Sequence, residues 1–266
     1  MSASQPMGVD AEGFILTVPD APVQREFQPL LEDACGLLSQ PGLGVDGIYV
    51  YGSVARGDAL PGVSDLDLTL VLSEPPTAAS LERLERIRCD LALRHPSVTK
   101  VDFDIGSRSR AQVLAVENKH RWGFWLKHHC RCVWGNDLAV QFERFRPSLD
   151  IALAVNGDFE AVLSAYLSRI ARADTEHERL RLQREASRKL IRATQIVCGV
   201  EGATWPQTLE EYVALFVQRY PMRVTQVAFF LFEARNPGAD GERFLARLQA
   251  FLGWMVLQRS HMAVPL

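Results

Sequence analysis

Two acidic pairs in this sequence have the spacing of a metal-dependent active site. Asp65 and Asp67 lie in "SDLDLTLVL", and Asp102 and Asp104 lie in "KVDFDIGS". In a strand, residues i and i+2 share a face. Asp65, Asp67, Thr69 and Val71 therefore point one way, and Leu66, Leu68, Leu70 and Leu72 point the other. The leucine face can pack on helices, while the opposite face begins with two carboxylates. Like charges side by side repel, and burial makes each one costlier. A hard divalent cation relieves both penalties, and Mg²⁺ takes a few carboxylate oxygens together with substrate phosphates. An isolated D-x-D at a strand start is an edge or turn feature. A second acidic strand, with Val101, Phe103 and Ile105 opposite its carboxylates, argues for a cation instead. If the two strands pair, three carboxylates suffice for a two-metal site, or for one metal plus a general base. Either Asp102 or Asp104 can be the third.

Just upstream, "YVYGSVARGD" joins a short apolar strand to a turn. Gly52 and Gly57 have the spacing of a phosphate loop, but Asp58 stands where that loop needs lysine, so the motif is rejected. No G-x-G-x-x-G supports a dinucleotide site. What remains is a strand, Gly52-Ser53, and a helix start at 54–60. Gly52 lets the backbone turn sharply and approach a ligand. Ser53 adds a hydroxyl, exposed N–H groups favour an anion, and Arg56 can add a charge-assisted contact. A phosphate grip thus precedes a metal grip.

These residues need elements to hold them. The spacing predicts a helix over 20–40, strands at 47–51, 65–72 and 98–105, and a helix capped by Ser80 between the last two. A helix near 109–128 and a strand at 130–134 follow. From about 148 helical periodicity dominates, over 158–172, 176–198, 208–219, 223–234 and 241–259, with Thr208 and Glu211 spaced as a capping box. The expectation is an α+β chain: residues 1–147 form a catalytic domain with a small mixed sheet and flanking helices, and 148–266 form an α-helical bundle.

Composition agrees with a soluble globular protein of 266 residues, 47% hydrophobic and 23% charged. A net charge of −3 argues against general nucleic-acid binding. The N-terminus lacks signal-peptide character, no apolar run reaches membrane-spanning length, and five scattered cysteines suit a reducing compartment. A cytoplasmic protein with no membrane partner is expected.

An apolar strand, Gly52-Ser53, then Asp65-Leu66-Asp67, then a later acidic strand resembles the nucleotidyltransferase superfamily that includes DNA polymerase beta. The resemblance covers roughly residues 45–106. The helical second half and the total length are similar to the two-domain aminoglycoside adenylyltransferases, and "VWGNDL" looks like the turn that closes their catalytic domain. The resemblance implies that Gly52, Ser53 and Ser64, with Arg56, bind a nucleoside triphosphate. It implies that Asp65, Asp67 and Asp102 bind one or two Mg²⁺, and that Asp102 or Asp104 acts toward the acceptor. ATP is the implied donor and a small hydroxylated molecule the implied acceptor, with antibiotic resistance as a consequence if that acceptor is an aminoglycoside. Basic residues of the second domain reach the phosphates in such enzymes; here "REASRKLIRATQ" offers Arg184, Arg188, Lys189 and Arg192. A solvated basic face is the plain alternative. Where the family places a further lysine after a Gly-rich turn, this chain has "GVEGATWPQT". Two other readings are a protein- or RNA-modifying nucleotidyltransferase of a toxin–antitoxin type, and a nucleotide-binding module without catalysis.

Other residues are weighed and set lower. His128, His129, Cys130 and Cys132 lack the second ligand pair of a zinc site, and the cysteines read as core. Trp122, Phe124, Trp125 and Trp205 read as packing before base stacking. Glu117 and Glu143 are candidate contacts for a cationic acceptor.

Overall fold

A computed structural model describes residues 7–108, 114–200 and 204–262. The chain divides into two units: Ile15–Phe145, and Met1–Phe14 together with Arg146–Leu266. Residues 7–14 group with the helices rather than with the unit that follows them. Met7 O accepts a 2.8 Å bond from Trp205 N–H, and a side chain on Gly8 would collide with Trp205 O at 1.7 Å.

In the Ile15–Phe145 unit, α1 (Gln28–Leu38) precedes β1 (Val45–Tyr51), a short α2 (Gly52–Arg56), β2 (Leu66–Leu72), α3 (Ala78–Arg94) and β3 (Val101–Ser107). Then come α4 (Phe124–His128) and β4 (Arg131–Gly135). The four strands form one sheet in the order β3-β2-β1-β4. β1 pairs antiparallel with β2 and β4, whereas β2 and β3 run parallel. A parallel pair needs a crossover, which α3 supplies. The sheet is therefore mixed, as its sequence pattern implies.

The alternation in β2 decides how the sheet is covered. Leu66, Leu68, Leu70 and Leu72 join Ile48 and Val50 in a core with Leu30, Leu38, Leu84 and Leu91 of α1 and α3. Fully burying each such leucine contributes about 1.5–3 kcal/mol. On the other face, Tyr49 and Val71 pack with Leu126, Cys130 and Leu138.

Element ends differ from the sequence pattern in readable ways. The first helix starts as a 3₁₀ turn at Arg25–Phe27, not at residue 20, and Pro29 sits in the first turn of α1, where a proline is tolerated. The cap of α3 is Thr77; Ser80 returns the bond to the Thr77 N–H as the other half of a capping box. The expected helix near 109–128 is broken up. Residues 109–113 lie outside the described residues, Val116–Asn118 is a 3₁₀ turn, and Lys119–Gly123 is a π-helical turn. Gly123 presses on the Phe142 ring, where a Cβ would come within 2.7 Å.

The second unit is helical among its described residues: α5 (Leu149–Asn156), α6 (Phe159–Ala171), α7 (Glu176–Cys198), α8 (Leu209–Arg219), α9 (Val224–Glu233) and α10 (Gly241–Met262). The helix α5 was not evident from periodicity; Ser148 caps it. The segment α7 is the hub, touching α5, α6, α8, α9 and α10. It accordingly buries far more than one stripe, including Leu182, Ala186, Leu190, Ile191, Ala193 and Ile196. Thr208 and Glu211 form their capping box on α8. No described helix is long and apolar enough to cross a membrane.

Candidate active site

Strand register brings the carboxylates to one end of the sheet. Asp67 in β2 is paired with Tyr51 in β1 on one side and with Asp102 in β3 on the other. Directly paired residues share a face. Tyr51, Asp67 and Asp102 thus form a row across three strands. Asp65 immediately precedes β2, and Gly52-Ser53 immediately follows β1. The next row holds Tyr49, Thr69 and Asp104. Asp104 is two residues further along its strand than Asp102, away from Asp65.

Each carboxylate has a distinct environment. Asp67 is half-buried, and burial, with the nearby charges of Asp65 and Asp102, pushes its carboxyl up to about 6. The ammonium of Lys100 works in the opposite direction on Asp67 and is outweighed. Asp65 accepts a hydrogen bond from the Thr99 hydroxyl. Lys100 Nζ lies 2.5 Å from Asp102 Oδ2 and 3.7 Å from Asp65 Oδ2. Asp104 accepts a 2.6 Å bond from the Tyr51 hydroxyl. Burial, and then Asp104 itself, raise the Tyr51 phenol above its ordinary range, so it stays a donor.

The turn after β1 is shaped for Asp67 as much as for a ligand. Gly52 has φ +71°, and a Cβ there would lie 2.3 Å from Asp67 Oδ2. Only glycine fits both the backbone and the carboxylate. The expected helix start at 54–60 is corrected: α2 begins at Gly52 and ends at Arg56, with Gly57 in the left-handed conformation. One turn is too short to carry a helix dipole of weight, so its anion-binding capacity rests on the Ser53 hydroxyl and individual backbone N–H groups. Arg56 forms a 3.2 Å ion pair with Asp58 on the surface. The Ser64 hydroxyl accepts a 2.9 Å bond from Leu60 N–H, which orders the loop leading to Asp65.

The donor set is chemically right for a hard divalent cation, because it consists of carboxylate oxygens whose burial and mutual repulsion at Asp67 a cation would relieve. As the side chains stand, no three acidic, histidine or cysteine groups among the described residues are close enough to hold a metal together. The cation that bridges Asp65 and Asp102 is the Lys100 ammonium.

Aromatic residues roof the same face. Trp125 Nε1–H donates to Thr69 Oγ1 at 3.0 Å, and its ring meets Tyr51 edge-on at 4.8 Å. Trp122 lies over Gly106, where a Cβ would come within 2.6 Å. Phe124 and His128 are buried. His128 Nε2 accepts from Phe145 N–H at 2.9 Å, and burial holds its pKa down. His129 stacks on Trp125 at 5.2 Å, and Cys130 Sγ lies 3.8 Å from Thr69 Oγ1. Glu117 and Glu143 are exposed. In the helical unit, Trp205 is buried.

A cavity of about 510 Å³ opens between α3 and β3. Asp102 and Asp104 line it, with Glu85, Arg88 and the apolar side chains of Leu81 and Phe103. Arg88 is tied to Glu85 by a 2.8 Å bond from Nε and to Val101 O by a 3.0 Å bond.

The basic residues of α7 separate into two groups. Lys189 faces its own unit, bonded to Asp158 at 2.7 Å and Asn156 at 3.3 Å. Arg184, Arg188 and Arg192 are exposed at i, i+4 and i+8. Two residues escaped the sequence reading. Tyr51 gives no signal beyond being aromatic. Lys100 does give one: it is two residues before Asp102 and so shares its face.

Comparisons with known proteins bear on one domain and on the fold. Residues 32–116 match the nucleotidyltransferase domain family. No curated protein matches the chain by sequence. A solved structure titled spectinomycin adenyltransferase AAD(9) from Enterococcus faecialis with ATP and spectinomycin has a similar fold. Its TM-score is 0.55 at 13% identity, over 85% of this chain and 98% of that one. The nucleotidyltransferase match thus falls on residues 32–116, and the fold of the chain is similar to that of the adenyltransferase structure.

Proposed function

We propose that this protein transfers AMP from ATP to a hydroxyl of a small acceptor, with an aminoglycoside or aminocyclitol as the acceptor class, and releases pyrophosphate. Residues 1–147 would serve as the catalytic domain and 148–266 as the helical domain. The observation that carries the reading is the row of Asp67 and Asp102 on adjacent strands, with Asp65 one step away and Gly52-Ser53 at the same sheet end.

The roles follow from position. Asp65, Asp67 and Asp102 would hold Mg²⁺, one ion or two, which when bound supplies positive charge to the triphosphate. The Ser53 hydroxyl and the backbone of the Gly52-Ser53 turn bind phosphate oxygens. Asp102, beside the cavity, accepts the proton of the acceptor hydroxyl as its oxygen attacks the α-phosphorus and the bond to pyrophosphate breaks. Asp104 stays in its hydrogen bond with Tyr51 and orients that wall. Arg56 and Ser64 support the loop between the two grips. The exposed arginines of α7, next to Lys189, are a surface of the kind that binds phosphate oxygens. A cytoplasmic setting with ample ATP suits this chemistry, and modification of an aminoglycoside would confer antibiotic resistance.

The test is pyrophosphate release from purified protein with Mg²⁺, each nucleoside triphosphate in turn, and a panel of hydroxylated acceptors. ATP with one aminoglycoside or aminocyclitol is the expected productive pair. No release with any pair, together with no change in Tm on adding nucleotide and Mg²⁺, overturns the proposal.

A further inference from the structure

The carboxylate row comes with its own cation. Lys100 precedes β3, and its backbone is fixed there: Lys100 O accepts a 3.0 Å bond from Leu66 N–H at the start of the parallel ladder. The neighbouring Thr99 N–H bonds Ser64 O at 3.1 Å, and its hydroxyl reaches Asp65. The short segment leading into β3 therefore braces the segment leading into β2. By the i, i+2 rule the Lys100 side chain emerges on the face of Asp102. Its ammonium then spans the gap to Asp65.

We infer that Lys100 is a resident counter-ion for the site, a positioning residue that holds Asp65 and Asp102 in place without a metal and gives way when a divalent cation binds.

Two observations support this. One monovalent charge serves two carboxylates, which a divalent ion would serve better. The pair is accessible, with Lys100 48% and Asp102 40% exposed, so the contact is of the surface type that breaks at little cost.

This inference rests on the nucleotidyltransferase reading, but its tests need no turnover. Mn²⁺ alone is titrated into wild type, Lys100→Met, Lys100→Arg and Asp67→Asn, with free Mn²⁺ read by electron paramagnetic resonance. Removing the competing charge is expected to tighten Mn²⁺ binding about tenfold in Lys100→Met. Lys100→Arg, which keeps the charge, stays within about threefold of wild type. Lys100→Met also melts at a lower temperature than wild type in chelator, and saturating Mg²⁺ narrows the gap. A merely structural lysine would lower both melting temperatures equally and leave Mn²⁺ affinity unchanged, which overturns the inference. If wild type binds no Mn²⁺ and Asp67→Asn is indistinguishable from it, the metal reading itself falls, and the inference with it. Should Lys100→Met fail to fold, wild type suffices. Its lysines are Lys100, Lys119, Lys127 and Lys189. After ¹³C-dimethylation, the Lys100 methyl resonance is expected to move on adding Mg²⁺ while the others stay. A static Lys100 signal at saturating Mg²⁺ overturns the displacement.

Discussion

Gly52 and Asp67 share one volume: the place a Cβ would take on Gly52 is 2.3 Å from Asp67 Oδ2. The backbone of Gly52 is also left-handed, with φ +71°. Gly52→Ala therefore meets two obstacles. The backbone strain costs about 1–2 kcal/mol, and the methyl pushes the carboxylate out of its row. Displacing a reacting group by a fraction of its reach costs on the order of 10²-fold in rate. Thermal melting should show a modest loss of stability, and pyrophosphate release a far larger loss of activity. A variant that keeps near wild-type turnover would show that Asp67 does not need this position.

Asp67 sets a pH dependence of stability that runs against the usual carboxylate pattern. Its folded-state pKa, about 6, lies above the ordinary carboxylate value. Between those two values the folded protein holds more protons at this site than the unfolded chain. Its contribution to stability therefore falls as pH rises through that window, and the penalty is fully present above about pH 6. Asp67→Asn removes the penalty. In chelator, the melting temperature of the variant relative to wild type should climb from pH 4 to pH 7, while metal-dependent activity disappears. A constant difference across that range would mean that Asp67 titrates normally.

The two acids of β3 should separate cleanly. Asp102→Asn is expected to cost about 10²–10⁴-fold in the rate of pyrophosphate release, because Asp102 shares the row of Asp67. Asp104→Asn leaves its Tyr51 partner an oxygen to donate to, so the loss should stay under about tenfold. A larger loss at Asp104 would transfer the third-carboxylate role to it.

Tyr49 tests the support beneath the site. Its buried hydroxyl donates to Asn136 O at 2.9 Å and accepts from Leu138 N–H at 2.7 Å. Tyr49→Phe leaves a part-buried carbonyl and a buried N–H without that partner, at about 1–3 kcal/mol. Denaturant melts should register this loss while the turnover of the folded protein is retained. An unchanged midpoint would mean that the closing turn after β4 is wet.

Much of the site was legible because strand alternation is a strong rule. The pattern of Leu66 to Leu72 assigns faces before any fold is known, and a pairing of β2 with β3 then puts Asp67 beside Asp102. What the pattern could not supply was competition for side chains. The exposed ion pair of Arg56 with Asp58, two residues on, is one example. Lys189 looks like part of a basic face, but an i, i+4 count does not reveal that Asp158 lies within reach. Lys100 was overlooked although the same alternation that placed Asp102 also placed it. In the helices, long periodic runs such as Glu176–Cys198 were plain, whereas α5 is short and its signal is mostly the cap at Ser148. The π-helical turn at Lys119–Gly123 has no signal of its own in the periodicity.

The strap from Met7 and Gly8 to Trp205 makes the helical unit a host and the sheet unit its guest, inserted near the host's beginning. On the ribosome the guest is complete while most of its host is still unmade. The sheet unit emerges first, but Met7 and Gly8 must wait for Trp205 before they find their partner. Closing so distant a contact is entropically slow. The host, not the sheet guest, is therefore the later part of this protein to become native, and expressing residues 148–266 alone would produce a bundle without the Met7–Gly8 contact to Trp205.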